Sequence, residues 1–165
     1  MRTLRGCIAI LVLLAGAERV AAQDSALKLG DRAPRVVVHD LNGKPVNLGE
    51  YVGVKPMFLE FWATWCESCR HLMPHVQAAQ KTYGSKVEFI GINVAVNETP
   101  ARVQQFMNAH APGFRTLYDD EGNSTRAYQA PATSYVVVVD RSGKVAYTGI
   151  GGTQDFDGVL RRVSQ

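Results

Sequence analysis

Phe58-Leu-Glu-Phe-Trp62-Ala-Thr-Trp-Cys66-Glu-Ser-Cys69-Arg70 is the stretch whose reading decides the fold. The apolar run from Met57 to Trp62 reads as a buried strand, and the pattern that follows Cys66 predicts a helix to about Tyr83. A strand that feeds a Cys-x-x-Cys at a helix start is the context in which this spacing serves redox chemistry. The physical reason lies at the helix end. Unpaired backbone N–H groups and the helix dipole stabilise a thiolate there, so the first thiol titrates below its free value of about 8.5. The second thiol follows roughly one turn later, within reach of a disulfide with the first.

Other uses of two cysteines compete with this one. Two buried thiols can be inert core residues. A zinc site needs two further Cys or His ligands at usable spacing. His71 and His75 are close in sequence, but Pro74 interrupts their turn and four ligands would crowd one short helix. A purely structural bridge would close so small a loop that it adds little stability.

Working outward, 165 residues are one domain's worth of chain with enough apolar content for a core. Residues 1–22 carry two early arginines, Arg2 and Arg5, then an apolar stretch from Cys7 to Ala17, then Val20-Ala-Ala22 before Gln23. Small residues at the third and first positions before Gln23 suit a signal-peptidase site. The apolar stretch falls short of the roughly 20 residues that span a bilayer. The expectation is a signal peptide over 1–22 and one domain over 23–165, with its core from about residue 29. Stable membrane insertion is expected only if that first segment stays uncleaved. Without residues 1–22, 15 basic and 14 acidic side chains remain, a net charge of +1. With no basic run, nucleic acid is not an expected partner. Cys7 would leave with the peptide, and the two remaining cysteines suit an oxidising compartment.

Along the chain, Val36–His39 and Val46–Leu48 read as a β-hairpin around Asn42-Gly43, a pair that suits positive φ angles. His39 has a surface or capping role there. Pro56–Trp62 is the central strand, and Pro74 interrupts the helix after it. Val87–Asn93 reads as a second buried strand. Thr99 is a candidate N-cap, with Pro100 opening a helix to about His110 whose Val103, Phe106 and Met107 face the core. A short extended segment follows at 113–118, and a short helix at Ser124–Tyr128. A second hairpin joins Tyr135–Val139 to Lys144–Thr148 through Asp140–Gly143. A helix over Asp155–Val163 closes the chain. Strands and helices alternate first and an antiparallel hairpin comes late, which predicts an α/β fold with a mixed sheet covered on both faces.

Phe61-Trp-Ala-Thr-Trp-Cys66-Glu-Ser-Cys69-Arg70, with Met73-Pro74 further on, resembles the TlpA-like branch of the thioredoxin superfamily. So does Gly30-Asp-Arg-Ala-Pro34 followed by Asp40-Leu-Asn-Gly-Lys-Pro-Val-Asn-Leu48. The resemblance covers roughly Leu29 to the C-terminus. It implies a thioredoxin fold: a central mixed sheet flanked by helices, with an N-terminal β-hairpin extension. It also implies an extracytoplasmic thiol–disulfide oxidoreductase in the periplasm that keeps client cysteines reduced, for example during cytochrome c maturation. The implied partners are client proteins bearing cysteines or disulfides and an upstream thiol electron donor. No cofactor is implied beyond a redox-active Cys66–Cys69 disulfide, and no metal.

Within that frame Cys66 is expected to be the exposed attacking thiol and Cys69 the shielded, resolving one. Trp62 and Trp65 frame the site, with Thr64 a weaker candidate and core packing an adequate account of Trp62. Glu67 beside Cys66 disfavours a thiolate, which leans towards a reductant, and Arg70 works the other way. Ser68 completes the intervening pair. Members of this branch often carry a carboxylate three residues after the second cysteine, where this chain has Leu72. They also place a cis-proline opposite the disulfide, where the residue before it pairs with the client. Two assignments compete for that place, Pro131 and Ser134 preceded by Thr133.

Glu60 has two readings. Strand alternation could turn it to solvent or to a lysine. Alternatively it matches the buried acid of thioredoxin, and desolvation would bring its pKa towards neutrality so that it exchanges a proton with Cys69. A second class of function also stays open: a copper-binding or copper-delivering module on the same fold, using Cys66, Cys69 and a histidine or Met73.

Overall fold

β3 (Met57–Trp62) is buried along its whole length, which follows from its place in the sheet. It pairs parallel with β4 (Glu88–Asn93) on one side and antiparallel with β6 (Tyr135–Val139) on the other. The computed structural model describes residues 27–112 and 114–165. The expected signal peptide lies outside the described residues. Among them, no helix is long and apolar enough to cross a membrane.

The sheet has seven strands in the order β2-β1-β5-β4-β3-β6-β7. β1 (Val37–His39) and β2 (Pro45–Asn47) form the expected N-terminal hairpin, and β1 reaches β5 (Arg115–Tyr118) through His39 and Tyr118. The turn is wider than a two-residue Asn-Gly turn. Asp40 accepts the N–H groups of Asn42 and Lys44 through its side chain, and only Gly43 is left-handed (φ 79°). β7 (Val145–Ile150) closes the other edge against β6. The sheet is mixed because α1 (Glu67–Tyr83) and α2 (Pro100–His110) make parallel crossovers while β6 and β7 form a hairpin. Thr99 caps α2 through Arg102 N, as its sequence predicts. α3 (Asn123–Ala127) and α4 (Asp157–Val163) complete the fold.

Alternation along β3 sorts the core into two faces. Met57, Leu59 and Phe61 join Val137 and Val139 under the N-terminal segment, against Leu48, Val52 and Tyr128. Phe58 points the other way, into a cluster with Leu72 and Val76 of α1 and Val159 and Leu160 of α4. Trp62 extends that second face towards the cysteines and Val103 of α2. The strand ends at Trp62, so everything from Ala63 to Cys66 emerges at the edge where β4 also ends. Loops from neighbouring parallel strands therefore meet beside the two thiols.

Candidate active site

Cys66 and Cys69 are joined by a disulfide at the start of α1. Cys66 is the N-cap residue, and its Sγ accepts the backbone N–H of Cys69 at 3.1 Å and lies 3.4 Å from Ser68 Oγ. A thiolate released at Cys66 would therefore sit on a helix N-terminus with a donor already aimed at it, the arrangement that lowers a cysteine pKa. Exposure does not separate the two sulfurs: Cys66 is 3 % and Cys69 4 % exposed. The expectation of an exposed first thiol is corrected on this point. Both are packed with Trp62, Ala63, Val103 and Tyr118, so position at the helix end, not accessibility, distinguishes them in the disulfide state. Glu67 and Arg70 are exposed, and Leu72 is buried.

The loop before Cys66 is held from outside. Glu98, in the β4–α2 connection, has a fully buried side chain. It accepts the Thr64 backbone N–H at 2.5 Å and the Thr64 hydroxyl at 3.1 Å, with Arg102 Nε 3.6 Å away. Trp65 donates its indole N–H to the carbonyl of Val96 at 2.8 Å while its ring stays 43 % exposed. The same connection contains two left-handed residues that are not glycine, Ala95 (φ 60°) and Asn97 (φ 53°). Such backbone is costly and persists only where its surroundings hold it. An apolar groove runs from Trp65 and Val96 on one wall to Pro131, Ala132 and Thr133 on the other.

Glu60 is buried, 2 % exposed, on the face of the sheet that α1 covers. Its register partners are Gly91 on β4 and Val136 on β6. The reading in which strand alternation turns it to solvent or a lysine is corrected, because both faces of this central strand are covered. Burial alone, with no neighbouring charge or hydrogen bond contributing, pushes its pKa up to about 8. Trp62 folds its indole over Gly91 beside it, and the indole N–H finds no partner among the described residues.

Of the two residues competing for the place opposite the disulfide, Ser134 is the one bonded to the central strand. Its N–H donates to Phe61 O at 2.7 Å, it is fully buried, and its backbone is left-handed (φ 62°). Pro131 is exposed on the groove wall. No described peptide bond is cis. A proline at 134 could not make the bond to Phe61, since it has no N–H.

Among the described residues, no three His, Cys, Asp or Glu side chains converge as metal ligands. Three residues near the site escaped the sequence reading: Glu98, Gly91 and Gln154. For Glu98 a signal existed, an acid in the short connection between a buried strand and the Thr99-Pro100 helix start. Gly91 and Gln154 had none, since only packing shows what they touch.

The chain matches the redoxin family over residues 28–160. It is 30 % identical to the thiol–disulfide oxidoreductase ResA of Bacillus anthracis over 95 % of this chain and 94 % of the relative. With ResA of Bacillus subtilis (strain 168) it shares 32 % identity over 76 % of this chain and 69 % of the relative. A crystal structure of a putative thiol:disulfide interchange protein DsbE from Chlorobium tepidum superposes with a TM-score of 0.71 at 25 % identity, covering 83 % of this chain and 95 % of that one. The fold, the disulfide on the N-terminus of α1 and these likenesses agree: the chain belongs to the redoxin family of the thioredoxin superfamily and is a thiol–disulfide oxidoreductase.

Proposed function

We propose that the protein is an extracytoplasmic reductant of client disulfides, acting in the periplasm after export and serving clients such as those of cytochrome c maturation. The observation that carries the direction is Glu60, a buried carboxyl with no compensating charge, on the face covered by the helix that bears both cysteines. A carboxyl with its pKa near 8 holds its proton at neutral pH. The same apolar burial that keeps Glu60 protonated penalises a thiolate at Cys69, so only Cys66 gains from the helix end, and a pair with one stabilised thiolate is a weaker oxidant than one with both. Exposed Glu67 beside Cys66 acts in the same sense and Arg70 against it.

The reaction needs no cofactor beyond the cysteine pair. In the dithiol form, the Cys66 thiolate attacks one sulfur of the client disulfide; that S–S bond breaks and the other client sulfur leaves as a thiol after taking up a proton. In the minority of molecules whose Glu60 is ionised near neutral pH, Cys69 then gives its proton to that carboxylate and attacks Cys66 Sγ. The mixed disulfide breaks, the second client thiol departs, and Cys66–Cys69 has formed at the cost of two electrons passed to the client. An upstream thiol donor reverses the last half. It attacks Cys66, and protonated Glu60 returns the proton to Cys69 as that sulfur leaves.

Equilibration with glutathione buffers tests the direction. A reductant should have a potential more negative than the roughly −220 mV at which glutathione holds a cytosol. A value near that of strong oxidants, about −120 mV, would overturn the proposed direction and leave the exchange chemistry intact.

A further inference from the structure

Ser134 is hard to explain as an isolated residue. A left-handed backbone at a non-glycine position is costly, and its buried hydroxyl has no partner among the described residues. Something must hold it. On one side its N–H donates to Phe61 O. On the other its carbonyl accepts two bonds, from Gly151 N at 3.1 Å and from Gln154 Nε2 at 2.9 Å.

Gln154 is fully engaged. The same Nε2 donates to Gly151 O at 2.7 Å, and Oε1 accepts from the Tyr147 hydroxyl at 3.3 Å. Its loop is itself seated on the first turn of α1. A Cβ at Gly152 would lie 2.8 Å from His71 Cβ and 3.0 Å from Ser68 O, so only a glycine allows this approach without displacement. Ser68 stands between the two cysteines. One side-chain amide thus ties the backbone at Ser134 to a loop that rests on the redox turn.

We propose that Gln154 is a positioning residue for client binding: by its bond to the Ser134 carbonyl it holds the left-handed Ser134 backbone, and with it Thr133 on the wall of the groove that Trp65 shares. The inference rests on the reading that client protein is reduced at Cys66, with the chain flanking its cysteine lying along the groove walled by Trp65 and Thr133.

The test compares wild type, Gln154→Leu and Gln154→Glu with insulin as the disulfide client, under a constant supply of dithiothreitol. Removing both donors should raise KM for insulin about tenfold, the equivalent of one or two lost hydrogen bonds to a buried carbonyl. The value of kcat and the rate of Cys66 alkylation by iodoacetamide should stay within about twofold. Gln154→Glu keeps the shape without the donors and should behave like Gln154→Leu, which covers the case that the leucine variant does not fold. In a Ser134→Gly background, where a positive φ costs nothing, the effect of Gln154→Leu should shrink to within about twofold. An unchanged KM in a folded variant overturns the proposal. So does an equal loss in KM, kcat and alkylation, which is what a general packing role would produce, or strict additivity with Ser134→Gly. Wild-type protein that fails to turn insulin over would remove the client reading itself, and the proposal with it.

Discussion

The buried carboxylate of Glu98 accepts the backbone N–H of Thr64 at 2.5 Å and its hydroxyl at 3.1 Å, joining the β4–α2 connection to the loop that presents Cys66. Hydrogen bonds to a charged acceptor contribute more than neutral ones, and removing the acceptor strands a buried donor. Glu98→Ala should therefore cost about 2–3 kcal/mol of stability in urea unfolding. Trp65, which leans on the same connection through Val96, should change its fluorescence in the folded variant. A variant with wild-type stability and an unchanged spectrum would mean that the loop holds itself.

Direction of attack follows from the cap. Cys66 has the helix-end donor and Cys69 does not, so a Cys69→Ser protein should accumulate mixed disulfides with clients, whereas Cys66→Ser should trap almost none. Non-reducing gels of the two variants decide it. Equal trapping, or trapping by Cys66→Ser alone, contradicts the assignment.

Glu60 gives stability a pH dependence with a defined sign. Its folded pKa of about 8 lies above the unfolded value of about 4.3. The native state therefore binds more protons between those values, and stability is fully present below about pH 4.3 and declines as pH rises towards 8. The slope from this one group is at most about 1.4 kcal/mol per pH unit. Glu60→Gln should flatten that decline and be more stable than wild type at pH 8. It should also slow reduction of the Cys66–Cys69 bond near neutrality, because the proton source is gone. Parallel stability curves for the two proteins from pH 5 to 8 would show that the carboxyl is not held neutral.

Gly91 lies opposite Glu60, and a Cβ there would collide with the Phe114 ring and lie 2.8 Å from Trp62 Nε1. Gly91→Ala should destabilise the fold by about 2 kcal/mol, as overpacking in a close-packed core does. Thermal unfolding measures this. Unchanged stability would mean that the Trp62 indole can swing away at no cost.

Export can be checked by mass. If residues 1–22 are removed, the exported protein should begin at or near Gln23 and lack Cys7. An intact mass that still includes Cys7 would identify the segment as an anchor.

Local signals carried most of the architecture. The apolar run before Cys66, the Thr99-Pro100 helix start and the Asp140–Gly143 turn each reflect chemistry within a few residues. A chain read one residue at a time displays such features. The spacing of the two cysteines on a strand-to-helix junction likewise determined the redox site, because the helix end creates the thiolate environment wherever it is placed. What the sequence left open was settled by contacts between distant segments. Glu60 could have faced water or the core, and pairing with both β4 and β6 under α1 decided for the core. Ser134 was one of two candidates until its amide met Phe61 and its carbonyl met Gln154, 20 residues away. Glu98 belonged to a connecting loop until the parallel order of β3 and β4 brought that loop against Thr64. Periodicity tells which way a side chain points relative to its own strand or helix, but only the packing of elements determines what covers it, and that covering sets the burial, the hydrogen bonds and the proton affinities at this site.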